Sequence, residues 1–170
     1  MLRANSLDRI HQKRTLRGLY IWHQATPYAC FLDTSAVTSG IVVVPGMVAT
    51  KTTGEQVAVS DSNTVPFGLF ANFIHGSMDE LGGGTEIGVY RGGNDATFEV
   101  LAGPSGETPL AAVSWTSLNS AAGGTRLFSD DDGLLTNAST TGDYVVARLV
   151  EAVSDSKIII TLELGTLAIA

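Results

Sequence analysis

The chain has little with which to build chemistry. It holds one cysteine, Cys30, in 170 residues, so no disulfide forms within it and no cysteine-based zinc site can be assembled from it. Cys30 reads as a small core residue rather than a reactive thiol. The three histidines, His11, His23 and His75, show neither His-Glu-x-x-His nor any paired spacing, which leaves no metal site to argue for. No Gly-x-Ser-x-Gly nucleophile elbow occurs, and Gly82-Gly83-Gly84 lacks the Gly-Lys-Ser/Thr of a phosphate loop. Apolar runs such as 41–44 and 158–160 fall far short of the roughly 20 residues of a membrane-spanning helix. The start has no secretory h-region, although an Arg-rich beginning also fits an organelle presequence. Nothing here implies a cofactor, and nothing nominates catalytic residues.

Charge is scarce as well, at 16% of residues, and unevenly placed. Arg3, Arg9, Lys13, Arg14 and Arg17 against Asp8 alone give the first 20 residues +4, while the rest, with five cations and 16 acids, carry −11. A body this acidic repels phosphate, which argues against nucleic acid as a direct partner. The basic segment instead suits an acidic protein surface, a neighbouring copy included. Asn5 or Ser6 can cap a helix from about Leu7 to Arg17, with Leu7 and Ile10 on one face and Gly18 as its stop. Two to three turns are marginal alone, so this helix forms against its own body or against a partner.

What is plentiful is glycine, 19 residues, among short apolar segments. Helical patterning is scarce after Gly18. About ten to twelve short strands are expected, hence an all-β fold: a small β-barrel or sandwich, in one or two related β units, with a short N-terminal helix or extended arm. Leu19 to His23 reads as an aromatic strand. Met47-Val48-Ala49 and Val57-Ala58-Val59 flank a Thr52-Thr53-Gly54 turn. Pro66-Phe67-Gly68-Leu69-Phe70 is a strand whose glycine marks a bulge or a close backbone approach. Thr85 to Tyr90 and Ala96 to Leu101 are expected to pair as a hairpin about Gly92-Gly93, and Tyr144 to Val153 with Lys157 to Leu164 as another. Asp130-Asp131-Asp132-Gly133 is either a solvated turn or an adventitious cation site, since its spacing is wrong for a calcium loop.

One phrase recurs. Gly54 and Gly133, Gly68 and Ala147, Phe70 and Leu149 each stand 79 positions apart, which predicts two copies of one strand-turn-strand unit, neither able to bury its apolar face alone. The expected organisation is a basic arm over 1–24 and two β units over 25–103 and 104–170, packed as one compact body.

The series Pro45-Gly46-Met47-Val48, the Gly54 turn with Val57 and Val59, Pro66-Phe67-Gly68-Leu69 and then Glu86-Ile87-Gly88-Val89-Tyr90 resembles the small barrels of tailed-bacteriophage head decoration, or capsid cement, proteins. The likeness covers about residues 40–101, with a weaker echo over 109–164, and this chain is longer than the simplest members and duplicated. The resemblance implies a non-enzymatic virion protein that binds the outside of an expanded capsid. It would bridge neighbouring major-capsid subunits, as a homo-oligomer, commonly a trimer in the family. Its location would be the capsid surface, and the host cytoplasm during assembly. Residues 1–24 resemble the family's N-terminal arm; within them Leu7, Ile10, Tyr20 and Trp22 are the expected apolar anchors, and Arg9, Arg14 and Arg17 the charges that steer and pair. Two other readings stay open: a tail or spike β-domain, and a carbohydrate-binding module using Trp22, Trp115, Tyr28, Tyr90 and Phe70.

Overall fold

A computed structural model of the chain describes residues 19–21, 27–33, 35, 42–71, 74–75, 86–91, 97–101, 122–154 and 157–167. Among them run thirteen strands: β1 (Leu19–Ile21), β2 (Tyr28–Leu32), β3 (Val42–Val43), β4 (Val48–Lys51), β5 (Gln56–Val59), β6 (Pro66–Phe70), β7 (Ile74–His75), β8 (Glu86–Tyr90), β9 (Thr97–Leu101), β10 (Arg126–Ser129), β11 (Leu135–Thr136), β12 (Tyr144–Ser154) and β13 (Lys157–Leu167). Five of these close a barrel in the order β2-β5-β4-β6-β8, while β1-β9-β13-β12-β10-β11 form an open sheet and β3 pairs with β7. The fold is all-β, a small barrel with a half-barrel sheet beside it. The helix expected over 7–17 lies outside the described residues.

Two cores explain why the barrel strands read as nearly continuous apolar runs. Cys30, Leu32, Ala49, Val57, Phe70, Ile87 and Val89 fill the barrel. Their immediate neighbours Val48, Leu69, Ala71 and Tyr90 point the other way, where they meet Phe98, Leu127, Val146, Leu149, Ile158 and Ile160 of the sheet. Successive strand residues face opposite sides, so a strand with a core on each side has no polar face to show. Burying side chains such as Phe70 and Leu69 completely contributes roughly 1.5–3 kcal/mol each.

Closure of the barrel rests on a parallel pair, with Phe31 opposite Gln56 and Leu32 opposite Val57. Asp33 fastens the end of that seam. Its N–H donates to the Val57 carbonyl at 2.8 Å, and its carboxylate accepts from the Ser35 hydroxyl at 2.6 Å, the Ser35 N–H at 2.9 Å and the Thr52 hydroxyl at 2.9 Å. The Ser35 bonds, hydroxyl first, and then Thr52 hold this carboxyl below the usual carboxylate range.

The duplication is visible in the hydrogen-bond order. Taken in barrel order, β2-β8-β6-β4-β5 has the connectivity of β9-β13-β12-β10-β11 in the sheet. The individual bonds repeat too. Met47 N–H to Val44 carbonyl matches Thr125 N–H to Ala122 carbonyl, and the reciprocal pair Gly46–Phe70 and Phe70–Met47 matches Gly124–Leu149 and Leu149–Thr125. Both turns are of the type II form: Gly46 (φ 92°) and Gly124 (φ 89°) sit at the position that requires a positive φ.

One expected pairing is corrected. Glu86–Tyr90 and Thr97–Leu101 do not form a hairpin: β8 pairs with β2 and β6, whereas β9 pairs with β1 and β13. The chain leaves the barrel after Tyr90 and enters the sheet at Thr97. Tyr90 and Phe98 still touch, with ring centroids 5.6 Å apart, but across the layer between barrel and sheet rather than along a ladder. Burying both rings in that layer is what separates the strands. The other expected hairpin forms, β12 against β13, with Ile158 and Ile160 fully buried and Leu162 and Leu164 packed on the same core.

Candidate interaction surfaces

Of the residues expected to anchor a partner, Leu7, Arg9, Ile10, Arg14, Arg17 and Trp22 lie outside the described residues. Tyr20 falls in β1, opposite Glu99 of β9, between the pairs Leu19–Val100 and Ile21–Phe98. The basic segment is thus tied to the body by the end strand of the open sheet.

A second group of side chains lies at one end of the barrel. Strands β2, β8, β6 and β4 are neighbours, each antiparallel to the next, so the start of β2, the end of β8, the start of β6 and the end of β4 meet there. These positions carry Tyr28, Arg91, Phe67 and Lys51. The Arg91 guanidinium stacks 4.2 Å from the Phe67 ring centroid and the Lys51 ammonium stands 5.4 Å from it. Tyr28 meets Phe67 edge-on, with centroids 6.0 Å apart. A bulge creates this place: Ala49 pairs with Gly68 but Thr50 pairs with Pro66, leaving Phe67 as the extra residue. Reading the sequence missed this group, because positions 28, 51, 67 and 91 are joined only by the strand order. The proline-led strand with its bulge signal was the nearest clue.

The acidic turn belongs to the contact between the two units. Asp130 accepts from the N–H groups of Leu134 at 2.7 Å and Asp132 at 3.0 Å, and the Gly133 carbonyl accepts from Val48 N–H at 2.8 Å. Desolvation pushes the Asp130 carboxyl up, against the pull of those two N–H groups, and Asp132 and Asp131 add to the rise. Asp131 goes the other way, held down chiefly by the Ser62 hydroxyl of the barrel. The turn is therefore solvated on one side and structural on the other. Among the described residues no group of three His, Cys, Asp or Glu side chains could hold a metal ion.

Across the open sheet, Arg148 on β12 makes a two-pronged ion pair with Glu163 on β13, its second bond 3.1 Å long. Cys30 is buried, and burial pushes its thiol up, the largest influence on it, so it is held in the weakly nucleophilic protonated form.

These features define a β-built scaffold whose described surface offers an aromatic-cationic barrel end, and whose strand β1 follows the basic segment in the chain. The family model for phage cement proteins matches residues 2–170, and the chain belongs to that family. Membership makes it a structural, capsid-stabilising component of a phage virion. No curated protein matches the chain.

Proposed function

We propose that this chain binds the outer surface of an expanded phage capsid and bridges neighbouring major-capsid subunits, with residues 1–24 as its arm. The observation that supports this most is the charge division: the +4 segment leads into β1, the end strand of a sheet whose surrounding body is −11. A cation-rich arm on an acidic body is steered to an acidic surface arm first, which orients the molecule before contact. Leu7, Ile10, Tyr20 and Trp22 supply apolar burial, and Arg9, Arg14 and Arg17 the steering and pairing. Cementing needs a wide contact with many modest anchors, and a rigid two-core body transmits load between those anchors. The protein acts as a homo-oligomer, a trimer being the form that places three arms around one capsid axis, and it joins the shell in the host cytoplasm during assembly.

The test removes residues 1–18, stopping short of Leu19 so that β1 keeps its place on β9. Co-sedimentation with shells assembled without this chain should then fall by at least about tenfold in affinity, and the loss should shrink as salt rises. Unchanged affinity would remove the arm from the binding surface.

A further inference from the structure

We infer that the barrel end formed by Tyr28, Lys51, Phe67 and Arg91 is a second anchor that docks on the same acidic capsid surface as the arm; the inference rests on the capsid-binding reading above. Five cations follow residue 20, in a stretch with 16 acids, and two of the five converge on the single ring of Phe67. Among the described residues neither Lys51 nor Arg91 takes part in an ion pair, whereas Arg148 is committed to Glu163. Both cations are exposed, and Tyr28 beside them is 47% exposed.

Stacking on Phe67 gives these charges a fixed position. A guanidinium lying on an aromatic face keeps its N–H edge free for a carboxylate and has less freedom to lose when it meets one. The composition, two aromatic rings with an arginine, is that of an energetic centre in a protein interface rather than of an ordinary acidic surface. The occupant is an acidic protein segment that sets a carboxylate against Arg91 and Lys51 and an apolar side chain against Tyr28.

Position ties this barrel end to the arm. Ile21, the last residue of β1, and Tyr28, the first of β2, are seven positions apart, so the intervening chain reaches at most about 25 Å. The basic arm and the cationic barrel end share a sign and differ from the rest of the body, and β1, which follows the arm in the chain, lies within one short chain length of that barrel end. One acidic surface therefore satisfies both, giving attachment at two points of one face.

The experiment compares the full chain, the Lys51→Glu/Arg91→Glu double variant and Tyr28→Ala for binding to shells assembled without this chain, at about 50 and about 300 mM NaCl. Light scattering reports the mass in solution and thermal melts report folding. The double variant should bind at least about tenfold more weakly at low salt, with the gap narrowing at high salt, and Tyr28→Ala should weaken binding several-fold at both. If the double variant does not fold, Lys51→Gln/Arg91→Gln and Tyr28→Ala carry the same comparison. Variants that fold and bind like the parent overturn the inference, as does a double variant whose mass in solution falls, because the barrel end would then be a contact between copies. Failure of the parent itself to bind shells overturns the capsid-binding reading, and this inference with it.

Discussion

Replacing Gly68 by alanine should destabilise the protein through one contact. A Cβ at this position would stand 2.2 Å from the Tyr90 carbonyl oxygen, 2.7 Å from a Val89 methyl and 3.0 Å from the Tyr90 carbonyl carbon. Two of the three are backbone, so no side chain can swing aside. Restoring ordinary contact requires β6 and β8 to part by about 1 Å, against a strand spacing of about 4.8 Å. That movement strains the pairs Leu69–Tyr90 and Phe70–Val89 and loosens the fully buried Phe70 in the barrel. Overpacking of this kind costs about 1–3 kcal/mol and a weakened ladder bond about 1 more, so the expected loss is about 2–4 kcal/mol. For a chain of this size the melting temperature should fall by roughly 5–15 °C. The sign is decisive. Alanine for an unconstrained strand glycine gains about 0.5–1 kcal/mol, so a calorimetric melt showing Gly68→Ala unchanged or stabilised would refute the close-approach argument. The duplication supplies a control. Ala147 is the counterpart, opposite Leu127 as Gly68 is opposite Ala49, and the open sheet accommodates its Cβ in full burial. Ala147→Gly should cost about 1–2 kcal/mol, from a lost methyl contact and added chain entropy.

Three further outcomes follow from the same geometry. Gly133→Ala should cost about 1–3 kcal/mol in urea unfolding, because Gly133 has φ 74° and an added Cβ would stand 2.4 Å from a Val59 methyl of the barrel. Asp130→Asn keeps an acceptor for the Leu134 and Asp132 N–H groups while removing a half-desolvated charge, so at pH 7 it should gain under about 1 kcal/mol, with solvent screening on its open side taken into account. The native carboxyl of Asp130 sits above its ordinary value of 3.8, so folding favours its protonated form: parent stability at this site recovers as pH falls through the raised value, and melts should show the advantage of the variant closing by about pH 3.5. Asp33 has the opposite sign, lowered by Ser35 and Thr52, so its support for the β2–β5 seam is present above the ordinary carboxylate value and is lost as pH falls through the lower native one. Asp33→Ala should therefore speed hydrogen exchange at the Phe31 and Asp33 amides near neutral pH and much less under acid.

Much of the architecture was legible wherever a local pattern carried it. Alternation gave away β12 and β13, the proline-led Gly68 strand announced its close approach, and the two glycine phrases disclosed the duplication. The offset, however, is not uniform. Hydrogen bonds of the first turns and hairpins repeat at 78 positions, Thr52 to Gln56 answering Asp130 to Leu134, whereas Phe70 and Leu149 stand at 79. Asp132, not Gly133, is thus the positional match of Gly54, and Gly133 owes its glycine to its own positive φ together with the barrel against which it packs. Matching letters found the repeat but misplaced one residue of it, because a second constraint put glycine one step away. The pairing of β8 with β9 was misread for another physical reason. A strand, a glycine turn and a strand look the same whether the chain folds back or crosses to another layer, and only the non-local burial of Tyr90 on Phe98 decides. The Phe67 group had no local signature at all.

The difference between the two units also bears on the arm. In the barrel, β5 returns to β2 as a parallel partner and closes the sheet. The corresponding closure of the second unit would bring β11 to β9, but β11 is two residues long, and β9 already pairs with β1 on that side. Leu19–Ile21 thus occupies the seat that closure would have filled, and the duplicated unit stays open because the chain's own N-terminal strand has taken the place. An edge left bare on β9 would invite pairing with another chain, so β1 does two things at once: it covers that edge and fixes the point from which the basic segment departs. Truncation past Leu19 would conflate these effects, since it removes the cations and uncovers the edge together. Cutting before Leu19 separates them, and a loss of shell binding with an unaltered melt then belongs to the arm alone.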